Sequence, residues 1–272
     1  MERKNRDKKQ PPTRAQVFEE IRSRIITLEY LPGAAISETE LAQQLNVSRT
    51  PIREALVLLN KDQLIEVFPR RGTFVTKIDL ELVHETQFLR EAIELSSMRS
   101  ITHIDEKIIA EIDLNLRAQE IAATAGSSKE FFSLDEKFHE LLLNLAGHHR
   151  VWKSVTDAKP HLDRARYLGF QKATPPSDFY QQHKKIVTQL RNGNIDPAVN
   201  LLSTHLRAVF ADTNHALQLF PEFFVNEECH ADHGKNGSPA AAQQISEPHF
   251  AGKRSVIEKL AVVRDYHRQN DK

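Results

Sequence analysis

Along residues 14–76 the apolar positions first recur at helical spacing and then switch to alternation. In TRAQVFEEIRSRIITLE, Val17, Ile21, Ile25 and Leu28 fall three or four apart, which predicts an amphipathic helix ended by the Leu31-Pro32-Gly33 break. Ser37 and Glu40 have the S-x-x-E spacing of a capping box, so a short helix opens at ETELAQQL. Ser48 is placed to cap a third helix, RTPIREALVLLNK, with Pro51 in its first turn, where a missing N–H removes no bond. LIEVF and TFVT around PRRG then read as a β-hairpin. Helices and hairpin in this order predict a winged helix-turn-helix over residues 14–78.

From Leu80 onward the pattern stays helical. Six amphipathic helices are predicted at 80–101, 105–124, 128–146, 149–171 (kinked at Pro160), 178–192 and 196–217, separated by breaks such as AGSS, AGHH, ATPPSD and NGNIDP. Breaks this short imply antiparallel neighbours, so residues 79–218 are expected to form an all-α antiparallel bundle and the chain to be mainly α. Residues 219–272 read as a polar linker followed by a terminal helix, SVIEKLAVVRDYHRQ. The opening MERKNRDKKQPPT, residues 1–13, reads as a disordered basic arm.

Charge divides the chain in the same place. Residues 1–78 carry 14 Lys/Arg against 10 Asp/Glu, and the remainder 23 against 27, so a basic front precedes an acidic body. An anionic partner is expected for the front alone. No run of 18 apolar residues offers a membrane span, and the start lacks the apolar middle of a secretion signal. Cys229 is the only cysteine, which excludes an internal disulfide and fits a reducing, cytoplasmic setting.

The segment SRTPIREAL has the make-up of a recognition helix. Its first turn carries long donors that reach guanine edges and phosphates, Arg49 and Arg53, with the small hydroxyl of Thr50 between them, while Ile52, Ala55, Leu56 and Leu59 take the inner face. Arg70, Arg71 and Gly72 make a basic hairpin tip suited to a minor groove. A solvated helix surface explains any one of these arginines alone; capped helix, turn, arginine-bearing helix and basic hairpin in sequence point to double-stranded DNA.

The stretch YLPGAAISETELAQQLNVSRTPIREALVLLNKDQLIEVFPRRGTFV resembles the winged-helix domain of GntR-type bacterial transcription regulators. That resemblance implies DNA contacts from Thr39, Arg49, Thr50, Arg53, Arg71 and Gly72. One position departs: the family usually has glycine before the first wing strand, and here it is Gln63. A left-handed conformation there costs about 1 kcal/mol.

In the bundle, Asp135 and His139 stand four apart in DEKFH, and so share a helix face flanked by Phe138 and Leu142. His183 lies on the side of Ile186 and Leu190, and His205 among Leu201, Leu202 and Phe210. Four inward polar groups either satisfy one another or bind something together; three imidazoles and a carboxylate are a reasonable set for Zn²⁺, Ni²⁺ or Mn²⁺. The bundle is also similar to the effector domain of the FadR subgroup, the FCD domain, through FLREAIE, D-x-x-F-H, and the His of HKKIVTQLRNGN followed by that of THL. The resemblance implies a divalent metal on Asp135, His139, His183 and His205, and an effector contact from Arg90. Six helices suggest its smaller, VanR-like variant. Helical phase allows only one of Arg164 and Arg166 to face the cavity. Cys229, His230 and His233 lie in the expected linker and lack a fourth ligand.

The expected function is a homodimeric, ligand-responsive transcriptional repressor on a palindromic operator, sensing a small carboxylate, and not an enzyme. Two alternatives stand beside it: a metal-dependent hydrolase using the Asp/His₃ set, against which no general base is evident, and a DNA-binding protein with a purely structural metal.

Overall fold

The computed structural model describes residues 12–225. Helix α1 (Arg14–Ile26) opens on a complete capping box: the Gln16 amide donates to the Thr13 hydroxyl, and the Thr13 amide donates to the Gln16 side chain. Strand β1 (Ala35–Ile36) leads into α2 (Glu38–Gln44), whose Glu40 amide is capped by Ser37 Oγ. Helix α3 (Arg49–Lys61) follows, then β2 (Ile65–Phe68) and β3 (Gly72–Val75). Ser48 occupies the N-cap of α3, but its side chain makes no capping hydrogen bond, contrary to the expected cap.

The hairpin gains a third strand that alternation alone does not reveal. The antiparallel sheet has the order β1-β3-β2, with Ala35 opposite Phe74 and Glu66 opposite the same residue from the other side. Val17, Ile21 and Ile25 of α1 are buried together with Leu41, Ile52, Ala55 and Leu59, as helical periodicity expected, whereas Leu28, grouped with them by spacing, lies past the end of α1 with φ 56° and is half-buried. Gln63 has φ 58°, the left-handed conformation anticipated from the missing glycine.

The bundle comprises α4 (Leu80–Arg99), α5 (Glu106–Thr124), α6 (Ser128–Leu145), α7 (Val151–Ala158), α8 (Pro160–Lys172), α9 (Pro176–Arg191) and α10 (Ile195–Leu219). These are seven helical segments, not the six expected. Pro160 does not kink one helix; it starts a new one at its first position, where a proline N–H is not needed, after Lys159 leaves helical geometry. Every residue of α8 from Pro160 to Phe170 is buried, including Asp163, Arg164 and Arg166. Among the described residues no helix is long and apolar enough to cross a membrane.

Head and bundle meet through polar contacts. Arg164 Nη1 donates to the Thr76 carbonyl at 2.6 Å, and the Asp79 amide donates to His161 Nδ1 at 2.9 Å. After α10 the chain folds back to this junction: the Ile78 amide donates to the Phe223 carbonyl at 2.8 Å, and the Val225 amide to the Ile78 carbonyl at 2.9 Å. Apart from residues 12–13 of the expected basic arm and 219–225 of the expected linker, those two segments, the terminal helix included, lie outside the described residues, as do Cys229, His230 and His233.

Candidate functional site

Two sites emerge, one on the head and one inside the bundle. On the head, Thr39 lies in the first turn of α2, while Arg49, Thr50 and Arg53 project from the first turns of α3; all four are exposed, as helix capping at Ser37 and the inward set Ile52, Ala55, Leu56 and Leu59 require. Arg53 Nε donates to Glu38 Oε2 at 2.8 Å, an exposed pair worth at most about 1 kcal/mol and easily exchanged for an outside anion. At the hairpin tip Arg70 (φ 64°) and Gly72 (φ 113°) turn the chain, and the Arg71 guanidinium lies 5.4 Å from the centre of the Phe68 ring.

In the bundle, α6 brings Asp135 and His139, α9 brings His183 and α10 brings His205 to one point. All four are buried, and one ligand atom from each lies within 4.8 Å of the others. His205 Nε2 is 3.2 Å from both His139 Nε2 and His183 Nε2, and Asp135 Oδ1 is 3.5 Å from His183 Nε2.

The outer nitrogens decide what these inner atoms are. His139 Nδ1 is 2.7 Å from Glu94 Oε2, His183 Nδ1 is 2.8 Å from Gln119 Oε1, and His205 Nδ1 is 2.8 Å from Gln182 Oε1. Gln119 is held in that orientation because its amide donates to Asn115 Oδ1. Each outer partner is an acceptor, so each Nδ1 carries the proton and each Nε2 presents a lone pair. Burial and the neighbouring groups push His183 and His205 well below the usual imidazole range, which keeps them neutral. The His205 lone pair, 3.2 Å from those of His139 and His183, cannot hydrogen-bond either of them, and Asp135 Oδ1 likewise has no hydrogen-bond partner. A divalent ion with metal–nitrogen bonds of about 2.0–2.1 Å holds its nitrogen ligands roughly 3.0–3.4 Å apart, so the donor set fits a cation.

Burial works to raise the Glu94 carboxyl, but the Arg90 charge and the hydrogen bonds accepted from His139 and Arg90 outweigh it and hold it below the usual carboxylate range. Arg90, on α4, donates from Nε to Glu94 Oε1 at 2.7 Å, while its buried Nη2 has no hydrogen-bond partner. Arg90 lines a cavity with Arg166, His205 and Asp212, walled by Phe170, Phe179, Leu206 and Val209. Of the two α8 arginines, between which helical phase did not choose, Arg166 lines the cavity and reaches Asp135 Oδ2 and Glu136 Oε1, whereas Arg164 turns to the head.

Sequence reasoning missed several functional positions. Glu94, Gln119 and Gln182 face the outer nitrogens of the three imidazoles; Glu94 left a signal as the residue on the same side of its helix as Arg90, and Gln119 as a polar residue in phase with Ile109, Ile112 and Leu116 on the buried face of α5. Glu136, paired with Arg166, and Lys159, paired with Glu136, gave none.

Comparison with known proteins agrees with the architecture. A family described as bacterial regulatory proteins, gntR family, matches residues 13–75, and one described as the FCD domain matches residues 85–208. The chain is 42% identical over 215 residues to an HTH-type transcriptional regulator in an unstable DNA locus of Streptomyces ambofaciens, covering 79% of this chain and 90% of that protein. It is 31% identical over 217 residues to the HTH-type transcriptional repressor RspR of Escherichia coli K12, covering 79% and 95%. Among solved structures, a GntR regulator from Rhodococcus sp. RHA1 superposes with a TM-score of 0.63 at 23% identity, covering 74% of this chain and 97% of that one. E. coli McbR/YncC superposes with a TM-score of 0.65 at 17% identity, covering 74% and 96%.

Proposed function

Because the chain belongs to the GntR family of bacterial transcriptional regulators and carries an FCD domain behind its DNA-binding head, we propose that it is a repressor whose hold on DNA is set by a small organic acid, sensed beside a divalent metal ion. The domains and relatives are those of regulators, not enzymes, which removes the hydrolase alternative. The observation carrying the proposal is the set of three facing Nε2 lone pairs with the partnerless Asp135 Oδ1.

Asp135, His139, His183 and His205 would hold Zn²⁺, Ni²⁺ or Mn²⁺. Such an ion supplies a Lewis-acidic centre to which a carboxylate binds. Glu94, Gln119 and Gln182 fix the imidazole orientations, and Arg166 holds the second oxygen of Asp135. The free Nη2 of Arg90 is the guanidinium donor available to the acid, in a cavity whose apolar wall is Phe170, Phe179, Leu206 and Val209.

On the head, Arg49, Thr50 and Arg53 enter the major groove, Thr39 supports them, and Arg71 and Gly72 follow a minor groove. One head covers one half-site, so two copies on a palindrome are required for tight binding. The outward stripe of α4 supports pairing of two copies. Phe88, 75% exposed, leads an apolar and small-residue face with Leu89, Ala92 and Ser96. Glu81 and Glu85 lie at one end of that stripe and Arg99 at the other, so two antiparallel copies set each helix's acidic end against the other's Arg99.

The test is elemental analysis of the purified protein, followed by DNA binding across a panel of organic acids with and without chelator. His139→Ala is expected to lose metal and acid response together while still binding DNA. Metal-free wild type that responds in full to an acid overturns the sensing role. Metal-loaded protein that responds to no acid favours a structural ion.

A further inference from the structure

The polar groups beneath the candidate metal cluster continue without a gap into the DNA-binding head. Asp135 Oδ2 accepts from Arg166 Nη2, and Arg166 Nη1 donates to Glu136 Oε1. Glu136 Oε2 accepts from Lys159 Nζ, which also donates to Asp163 Oδ1. Arg166 Nη1 lies 3.5 Å from that same Asp163 oxygen. The other oxygen, Asp163 Oδ2, lies 3.7 Å from Arg22 Nη2 of α1, and Arg22 Nη2 also donates to the Thr156 carbonyl at 3.5 Å. Three cations alternate with three carboxylates, and the Lys159 side chain at the centre is 0% exposed.

Stability alone is a poor reason for such a chain, because replacing buried ion pairs with apolar residues of similar size is often neutral or stabilising. We infer that Lys159 and Arg22 are positioning residues, through which occupancy of the Asp135 cluster sets how firmly α1, and with it the recognition helix packed on it, is held against the bundle. The inference rests on the metal reading above. Asp135 serves both the cluster, through Oδ1, and Arg166, through Oδ2. A cation at Oδ1 draws on the charge that Arg166 shares, so Arg166 leans further on Glu136 and Asp163. Lys159 binds both of these carboxylates, and Asp163 is the carboxylate facing Arg22, so a gain at one end is a loss at the other in a poorly screened interior. Arg22 is the link open to mutation, since its side chain is 23% exposed and it is not one of the residues placed on the DNA.

The experiment uses the full chain, Zn²⁺ as the probe, and a DNA duplex selected by the wild-type protein from a random library. Affinity for the duplex is measured zinc-loaded and chelated, and zinc affinity is measured separately by competition with a chromophoric chelator. Wild type is expected to shift by about tenfold, within the range common for coupled sites. Arg22→Gln, which keeps a donor for the Thr156 carbonyl but removes the charge, should bind zinc as wild type does while its shift collapses to about twofold or less. Arg22→Lys should restore most of the shift, which a merely structural arginine would not predict. An Arg22→Gln variant with the full shift, or zinc-loaded wild type with none, overturns the inference and leaves the metal site standing. Wild type that takes up no zinc overturns the metal reading, and this inference with it.

Discussion

Replacing His161 with asparagine tests how the head is fastened to the bundle. His161 Nδ1 accepts from the Asp79 amide at 2.9 Å, and its Nε2 is 3.3 Å from the Gln63 carbonyl, so the folded ring is neutral with its proton on Nε2. Burial is the larger influence and Arg164 the next; together they pull the imidazole down from 6.5 to about 3. Between those values the unfolded chain binds a proton that the folded chain refuses. The contribution is therefore complete above pH 6.5 and declines as pH falls below it, by about 1.36 kcal/mol per pH unit. At pH 5 the loss is about 2 kcal/mol. His183 and His205, also depressed, tilt the wild-type curve in the same direction, so the informative quantity is the difference between wild type and His161→Asn. Asparagine keeps an acceptor for the Asp79 amide and does not titrate. Urea unfolding, followed by the fluorescence of Trp152, the only tryptophan, should show the wild-type advantage shrinking by about 2 kcal/mol from pH 7 to pH 5. An advantage that stays constant over that range refutes the assignment of His161 as a neutral pin.

Further expectations follow from the same contacts. Arg49→Ala and Arg53→Ala should each weaken binding to a selected duplex by about 1–3 kcal/mol, whereas Glu38→Ala, which releases Arg53 and removes a charge repelled by phosphate, should strengthen it; gel-shift titration at fixed salt reads all three. Gln63→Gly should stabilise the protein by about 1 kcal/mol by relieving the φ of 58°, raising the melting temperature by about 2–4 °C, and an unchanged or lower value counts against strain at that turn. Phe88→Glu should convert a dimer to a monomer in sedimentation, and a variant that sediments as wild type does places the interface away from α4.

The parts of the molecule legible in the sequence share one trait: the chemistry agreed with the local pattern. Val17, Ile21 and Ile25 repeat at helical spacing because one face of α1 is buried, and Asp135 and His139 could be paired because four residues make one turn. Helix α8 was read least well, because its burial contradicts its composition. PHLDRARYLGF, expected as part of an amphipathic helix with only one of its two arginines facing inward, is enclosed along its whole length. Asp163 and Arg166 are tolerated inside only because Lys159 and Glu136, from other turns and other helices, neutralise them, and no periodicity within α8 carries that information. Strand β1 was missed for a related reason: two residues are too few to alternate, and only the partner β3 makes them a strand.

The backbone clasp between Ile78 and the segment Phe223–Val225 has a practical consequence for protein engineering. The bundle's last described residues are stitched to the joint below the head, so a fluorescent reporter spliced in directly after Val225 would sit beside that joint. Paired with a second dye on the exposed wing at Arg70, it spans the head and its attachment point. Energy transfer between the two would then read head movement directly, turning the regulator into an optical sensor that needs no DNA to give its signal.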